Sequence, residues 1–529
     1  MLAPPFDLER SACVDLAPRR TECLAISVVG RCSGPQRLGT GERRLMLFRS
    51  VEEFHRSGFR PRVFIVGSGP AGISLALRLQ DRKVACLLVE AGGYEFTSES
   101  QDFYRGEVIG NHYHQLHEAR LRQFGGTSGH WSGWVCPLDA IDFEARAYMP
   151  NSGWPIRVTD LDPYSAAADE IVEVKPHEKD RPMTPDIDYI QYRYSPPVRF
   201  GNKYRATIER SATIGLLLNT PVLELVPGQN RIDSIRVSQA PGVTTDIRVD
   251  HVCVCTGGIE NSRLLLWSNA RHAGRVVPHA SALGRYWMEH PVADWADVIT
   301  SNGYEHQFET PATERWLFAP SDHAKKTHGI GGAHIWMREH QPDPDRTKEL
   351  VHEAMCVAPN WSNRLLQRFG KEYHCGGLVR AEFEQFPVPE NRIELGSKKD
   401  AMGVPLTRLY WKISATERKT ASVATLLLGE ALVKKDIGRL RIRNYLTNAA
   451  AAWPDDGQPA GWHHMGGTRM ADSPSTGVVD KNCKVFDMDN LYVGGSSVFT
   501  TGGHASPTYN IVRFALRLGD HLASKLTST

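Results

Sequence analysis

The glycine run Gly67-Ser68-Gly69-Pro70-Ala71-Gly72 and the carboxylate of Glu90, 18 residues beyond it, carry the clearest chemistry in the 529-residue chain. A GxGxxG spacing brings bare backbone N–H groups against a pyrophosphate. Gly67 permits the tight turn, Gly69 the close approach of backbone to phosphate, and Gly72 the packing of a helix on a strand. Pro70 and Ala71 open that helix, whose N-terminal N–H groups and positive dipole end suit phosphate oxygens. Glu90 closes the next strand, where a carboxylate can accept hydrogen bonds from ribose hydroxyls and disfavours a 2′-phosphate. A dinucleotide without that phosphate is expected, and these residues alone do not choose between FAD and NAD.

The elements that must hold this loop are legible around it. Val63–Val66 is a short apolar run ending in glycine, Ala71–Leu79 has helical character, and Ala85–Val89 is a second apolar run. Strand, turn, helix and strand make a βαβ unit. A further strand is expected over Val249–Cys255, leading into a helix at Glu260–Trp267, and another over Leu491–Val493, with a helix over Ile511–Leu526. Between these lie strand patterns at Arg380–Phe383 and Arg392–Leu395 and an amphipathic helix at Thr416–Val433.

Nucleotide-type signals thus occur at the start, middle and end of the chain. The expected organisation is an N-terminal extension over 1–58 and a discontinuous nucleotide domain over 59–149, 206–275 and 455–529. A lid-type insertion over 150–205 and a substrate-binding domain over 276–454 interrupt it. The fold class is α/β, α+β overall: a Rossmann-like nucleotide domain plus a substrate domain.

Bulk composition narrows the function classes. Lys plus Arg number 62 and Asp plus Glu 60, so there is no basic excess of the kind nucleic-acid proteins show. No stretch approaches the roughly 18–20 apolar residues of a membrane span. The ten cysteines show no CxxC spacing. Cys253 and Cys255 read as buried thiols, and a reducing, cytoplasmic setting is expected. No metal site is expected.

Three further motifs refine the picture. They are Phe124-Gly125-Gly126-Thr127-Ser128-Gly129-His130-Trp131, Cys255-Thr256-Gly257-Gly258-Ile259-Glu260-Asn261-Ser262-Arg263, and His463-His464-Met465-Gly466-Gly467-Thr468-Arg469-Met470. The last is followed by Gly503-His504-Ala505-Ser506-Pro507-Thr508. Together they resemble the glucose–methanol–choline (GMC) oxidoreductases over roughly residues 46–529. The closer likeness is to the sugar-oxidising branch that includes pyranose 2-oxidases and bacterial glycoside 3-dehydrogenases.

The resemblance implies FAD, a substrate domain with an antiparallel sheet, and oxidation of an alcohol by hydride transfer to the flavin. It assigns Gly125, Gly126, Thr127 and Ser128 to the pyrophosphate and flavin, and the backbone of Val222 to the adenine. Gly495, Pro507 and Thr508 join this cofactor set. His130 matches the position that carries a covalent flavin in pyranose oxidases, although non-covalent binding is the favoured expectation.

For catalysis the resemblance places the base at His463. A neutral imidazole is suited to taking the hydroxyl proton. His464 is the alternative base and is otherwise assigned to the substrate. The family's second catalytic position, usually Asn or His, is Ser506 here. A hydroxyl can still donate to the substrate oxygen, and Ser506-Pro507 also reads as an ordinary helix start. His504 is the alternative partner. Gln385 is expected to face the substrate, whereas core packing is the favoured reading for Trp131, Trp134 and Trp411.

The leading expectation is an FAD-dependent enzyme that oxidises a hydroxyl of a sugar or glycoside to a ketone. The electron acceptor is left open among oxygen, a quinone and a protein. The alternatives are a flavin alcohol oxidase on a non-sugar or primary hydroxyl, including a glycosylated natural product or aminosugar, and a non-redox protein on the same fold.

Overall fold

The computed structural model describes residues 46–300, 314–338, 345–358, 361–362, 364–365, 368, 376–454 and 459–527. The expected βαβ unit forms as Val63–Val66, Pro70–Asp81 and Cys86–Val89. It belongs to a six-stranded sheet in which every pairing is parallel. The order is Leu47–Phe48, Ile214–Leu217, Cys86–Val89, Val63–Val66, His251–Val254 and Leu491–Val493. All twelve residues of the strands Val63–Val66, Cys86–Val89 and His251–Val254 are buried, as parallel strands covered on both faces require.

The helices Pro70–Asp81 and Pro507–Thr527 pack together, and Arg78 and Arg82 both fork onto Asp520. Residues 1–45 lie outside the described residues. Leu47–Phe48 and the helix Val51–Ser57, within the segment 1–58 expected as an extension, join the six-stranded sheet and its core. The apolar residues Phe48, Val51 and Phe54 supply the reason, because they bury their side chains in its core.

A second, eight-stranded sheet is antiparallel throughout. Its main path runs Gly438–Ile442, Val292–Thr300, Gly377–Phe383, Ala333–Arg338, Glu314–Pro320, Ile187–Tyr194 and Trp134–Val135. It therefore draws strands from the segments expected to be lid and nucleotide domain as well as from 276–454. The helix Ala415–Lys434 covers it, burying Ala421, Ala424, Leu428 and Leu432 against Trp295, Ile335 and Phe383.

That helix begins with a capping box. Ser414 Oγ accepts from the Thr416 N–H, and Glu417 Oε2 accepts from the Ser414 N–H at 2.7 Å. The other Glu417 oxygen accepts from the Phe386 N–H at 2.9 Å, which ties the helix start to the end of a sheet strand. Ser414→Ala is expected to lower stability by about 0.5–2 kcal/mol in a denaturant melt, the usual loss for an N-cap.

Five cysteines, among them Cys253 and Cys255, are buried and free. No helix among the described residues is long and apolar enough to cross a membrane.

Candidate active site

One cavity of about 520 Å³ runs from the glycine turn to His463. At its glycine-turn end the three glycines differ in what surrounds them. Gly67 has φ +99°, and a Cβ there would lie 2.6 Å from the Cys255 carbonyl oxygen. A Cβ on Gly72 would lie 2.0 Å from the Gly67 carbonyl oxygen, so only glycine lets this helix sit on its strand. Beside Gly69 a Cβ would meet nothing within 4 Å, which leaves open space at the helix start. No side chain caps that helix N-terminus. Its unpaired N–H groups, with Pro70 and Ala71 on the wall, are available to an anion.

Glu90 closes this end. Its carboxylate is buried and accepts from the Ser68 N–H at 2.9 Å, the Ser68 hydroxyl at 2.6 Å and the Gly92 N–H at 2.8 Å. These bonds fix its orientation while Oε1 keeps a lone pair for a ligand. Val222 lines the same end.

The second glycine segment meets the first. The Gly125 N–H donates to Ser68 O at 3.0 Å, and a Cβ on Gly126 would come within 3.0 Å of Gly69 Cα. Gly126, Thr127 and Ser128 line the cavity, while Gly125 and Gly72 stand behind it as turn and packing residues. His130 lines it too. Its ring stacks on Trp462 with centroids 5.8 Å apart, and its buried Nε2 has no hydrogen-bond partner. Gly495, Ser506, Pro507 and Thr508 complete the wall, with the last helix starting at Pro507 as expected.

His463 also lines the cavity and follows Trp462, which is in a left-handed conformation at φ +63°. The His463 N–H donates to Glu289 Oε1 at 2.5 Å, and its Nδ1 lies 2.9 Å from His290 Nδ1. Burial, reinforced by His290, His334 and His464, holds the ring well below the ordinary histidine range. It is therefore an unprotonated imidazole at neutral pH, ready to accept a proton.

Glu289 organises the pair of histidines. Its carboxyl also takes the His290 N–H at 2.9 Å and the Tyr113 hydroxyl, and that hydroxyl lies 3.0 Å from His464 Nε2. His464 thus lines the cavity but is anchored from behind, with burial pushing its pKa down to about 3. Burial also pushes the Glu289 carboxyl up to about 8.

Two sequence expectations need correction. Gln385 does not face the cavity: its Oε1 accepts from the Glu289 N–H and the Trp411 indole, and its Nε2 donates to Lys412 O. The strand Gly377–Phe383 has ended before it, so the alternation that turns Glu382 toward the cavity no longer applies. Trp411, 1% exposed, is core. His504 does not line the cavity either. Although burial lowers its pKa, the Asp139 carboxylate 3.1 Å from Nε2 more than offsets this and raises it, so its ring is held away from the wall.

Glu289, His290, His334 and Glu382 were not singled out from sequence. His290, Glu382 and His463 also place ligand atoms close enough to hold a metal ion. The adjacent Glu289-His290 pair at the head of Val292–Thr300 was the signal available.

Residues 387–515 match the family model described as GMC oxidoreductase. The chain is 23% identical to the 2-methyl-1,2-propanediol dehydrogenase of Mycolicibacterium austroafricanum over 547 residues, covering 88% of this chain and 95% of that one. It is 22% identical to the fructose dehydrogenase large subunit of Gluconobacter japonicus, over 56% of this chain and 52% of the relative. Its fold is similar to that of an FAD-dependent oxidoreductase from Chaetomium thermophilum, with a TM-score of 0.52 at 12% identity, covering 88% of this chain and 100% of the other. The chain is thus similar to GMC oxidoreductases in sequence over residues 387–515 and in fold over most of its length.

Proposed function

We propose that the protein is an FAD-dependent oxidoreductase that oxidises a hydroxyl of a polyhydroxylated small molecule, a sugar or glycoside, to a carbonyl. The observation carrying this reading is the single cavity that joins the dinucleotide turn to an unprotonated, buried histidine. The residues fit FAD: the space beside Gly69, the uncapped helix start, the oriented Glu90 and the orphaned His130 Nε2 all await a ligand.

Bound FAD supplies the hydride acceptor. His463 takes the hydroxyl proton as the carbonyl forms. Ser506, on the cavity wall, donates to the substrate oxygen. The start of the helix Pro507–Thr527 turns its positive dipole end toward the cavity, which favours negative charge there.

A second reading, a small acyclic diol as substrate, is favoured by the named diol dehydrogenase among the relatives. The propanediol and fructose of the two relatives' names both carry hydroxyls on adjacent carbons. Acid precipitation tests the cofactor. The purified protein is expected to be yellow and to release FAD into the supernatant. A colourless protein contradicts FAD, and colour retained in the pellet would instead mean a covalent bond through His130.

A further inference from the structure

His334 and Glu382 are direct partners in the register of the strands Ala333–Arg338 and Gly377–Phe383, so their side chains leave the same sheet face. Both line the cavity. One oxygen of Glu382 lies 3.5 Å from His334 Nε2 and 3.5 Å from His463 Nδ1.

The far side of His334 is already committed. Its Nδ1 lies 2.9 Å from the His504 carbonyl oxygen and 2.8 Å from the Tyr192 hydroxyl, which itself donates to that carbonyl. A carbonyl only accepts, so Nδ1 carries the ring proton and Nε2 turns a lone pair to the cavity. No described residue donates a hydrogen bond to the Glu382 carboxyl. Burial pushes the Glu382 carboxyl up to about 7; once it is ionised, two acceptors converge beside His463 with no donor between them, an unfavourable arrangement until a ligand supplies one.

We propose that Glu382 and His334 hold the hydroxyl next to the one being oxidised, and that the substrate is a vicinal diol, cyclic or open-chain. The inference rests on His463 as the base of the reaction proposed above. One hydroxyl gives its proton to His463. The hydroxyl on the neighbouring carbon sits between Glu382 and His334 and donates its one proton to the Glu382 carboxylate, fixing which carbon faces the hydride acceptor. A metal ion on His290, Glu382 and His463 is the competing occupant. An ion bound through the two Nδ1 atoms would have to break the 2.9 Å hydrogen bond between His290 and His463.

Butane-2,3-diol and butan-2-ol present the same secondary alcohol with and without the neighbouring hydroxyl, and anaerobic flavin reduction by each is compared. The wild-type protein is expected to prefer the diol by about 10–100-fold in kcat/KM, the effect of a hydrogen bond to a charged group. Glu382→Ala should bring the ratio of diol to mono-alcohol close to one, with Glu382→Gln in between.

Titration of tryptophan fluorescence reads binding without turnover. The diol preference should appear there, survive His463→Ala and vanish in Glu382→Ala. That outcome separates this inference from the identity of the base. Equal binding of the two alcohols, an equal loss for both in the Glu382 variants, or one equivalent of transition metal lost on Glu382→Ala would each overturn it.

Discussion

Replacing His463 by alanine should leave the flavin bound and slow its anaerobic reduction by an alcohol at least ~100-fold, the lower end for loss of a general base. Stopped-flow reduction, with the flavin spectrum as the check on binding, gives the result directly. The hydrogen bonds of His463 go to Glu289 and His290, not to Glu90 or the glycine turn, so the dinucleotide contacts do not depend on it. A pH expectation follows. Burial and the neighbouring His290, His334 and His464 hold the ring well below its ordinary value of 6.5. At saturating alcohol the wild-type reduction rate should therefore stay flat as pH falls through that value, where an unperturbed histidine would lose its free base. The same depression affects stability with a defined sign. Below its normal value the imidazole is protonated in the unfolded chain but not in the folded one, so stability falls as pH drops there.

Glu384→Gln is expected to have the largest effect on stability. Glu384 and Arg146 form a two-pronged ion pair at 2.9 and 2.6 Å, with side chains 0% and 1% exposed. The same carboxylate accepts from the Gly332 N–H at 2.9 Å and the Gly503 N–H at 3.1 Å. Removing its charge leaves Arg146 buried without compensation, a loss of about 3–5 kcal/mol. Denaturant unfolding of the single variant measures this, and Arg146→Met with Glu384→Met should recover most of it. Burial alone would raise the Glu384 pKa, but Arg146 and the two N–H donors hold it below the usual carboxylate value. This contribution is present above the unfolded carboxylate pKa and is lost as pH falls through the depressed folded one. The Gly503 bond also anchors the loop that leads to Ser506, so flavin reduction should slow with the loss of stability.

The nucleotide end was legible because its chemistry is local. In Gly67–Gly72 the turn, the phosphate approach and the helix contact are all set within six residues, and the flanking apolar runs predict the strands that hold them. The helices Glu260–Arg271, Ala415–Lys434 and Pro507–Thr527 lie where apolar periodicity put them, to within a few residues. The substrate end was less legible because sheet register assembles it. His334 meets Glu382 only through the pairing of two distant strands, and neither belongs to a local motif. Gln385 was chosen from the neighbouring segment, but it lies past the strand end and serves the Glu289 and Trp411 packing. His504 was chosen for its nearness to Ser506. Asp139, far away in sequence, draws its ring off the cavity.

The claim that unites these observations is that the cavity brings a flavin and an alcohol together at His463. Anaerobic mixing of the purified protein with a panel of sugars, glycosides and 1,2-diols, followed by flavin absorbance, tests it most directly. The account predicts a yellow protein that bleaches with at least one of them. A colourless protein, or a flavin spectrum that no member of the panel changes, would contradict it.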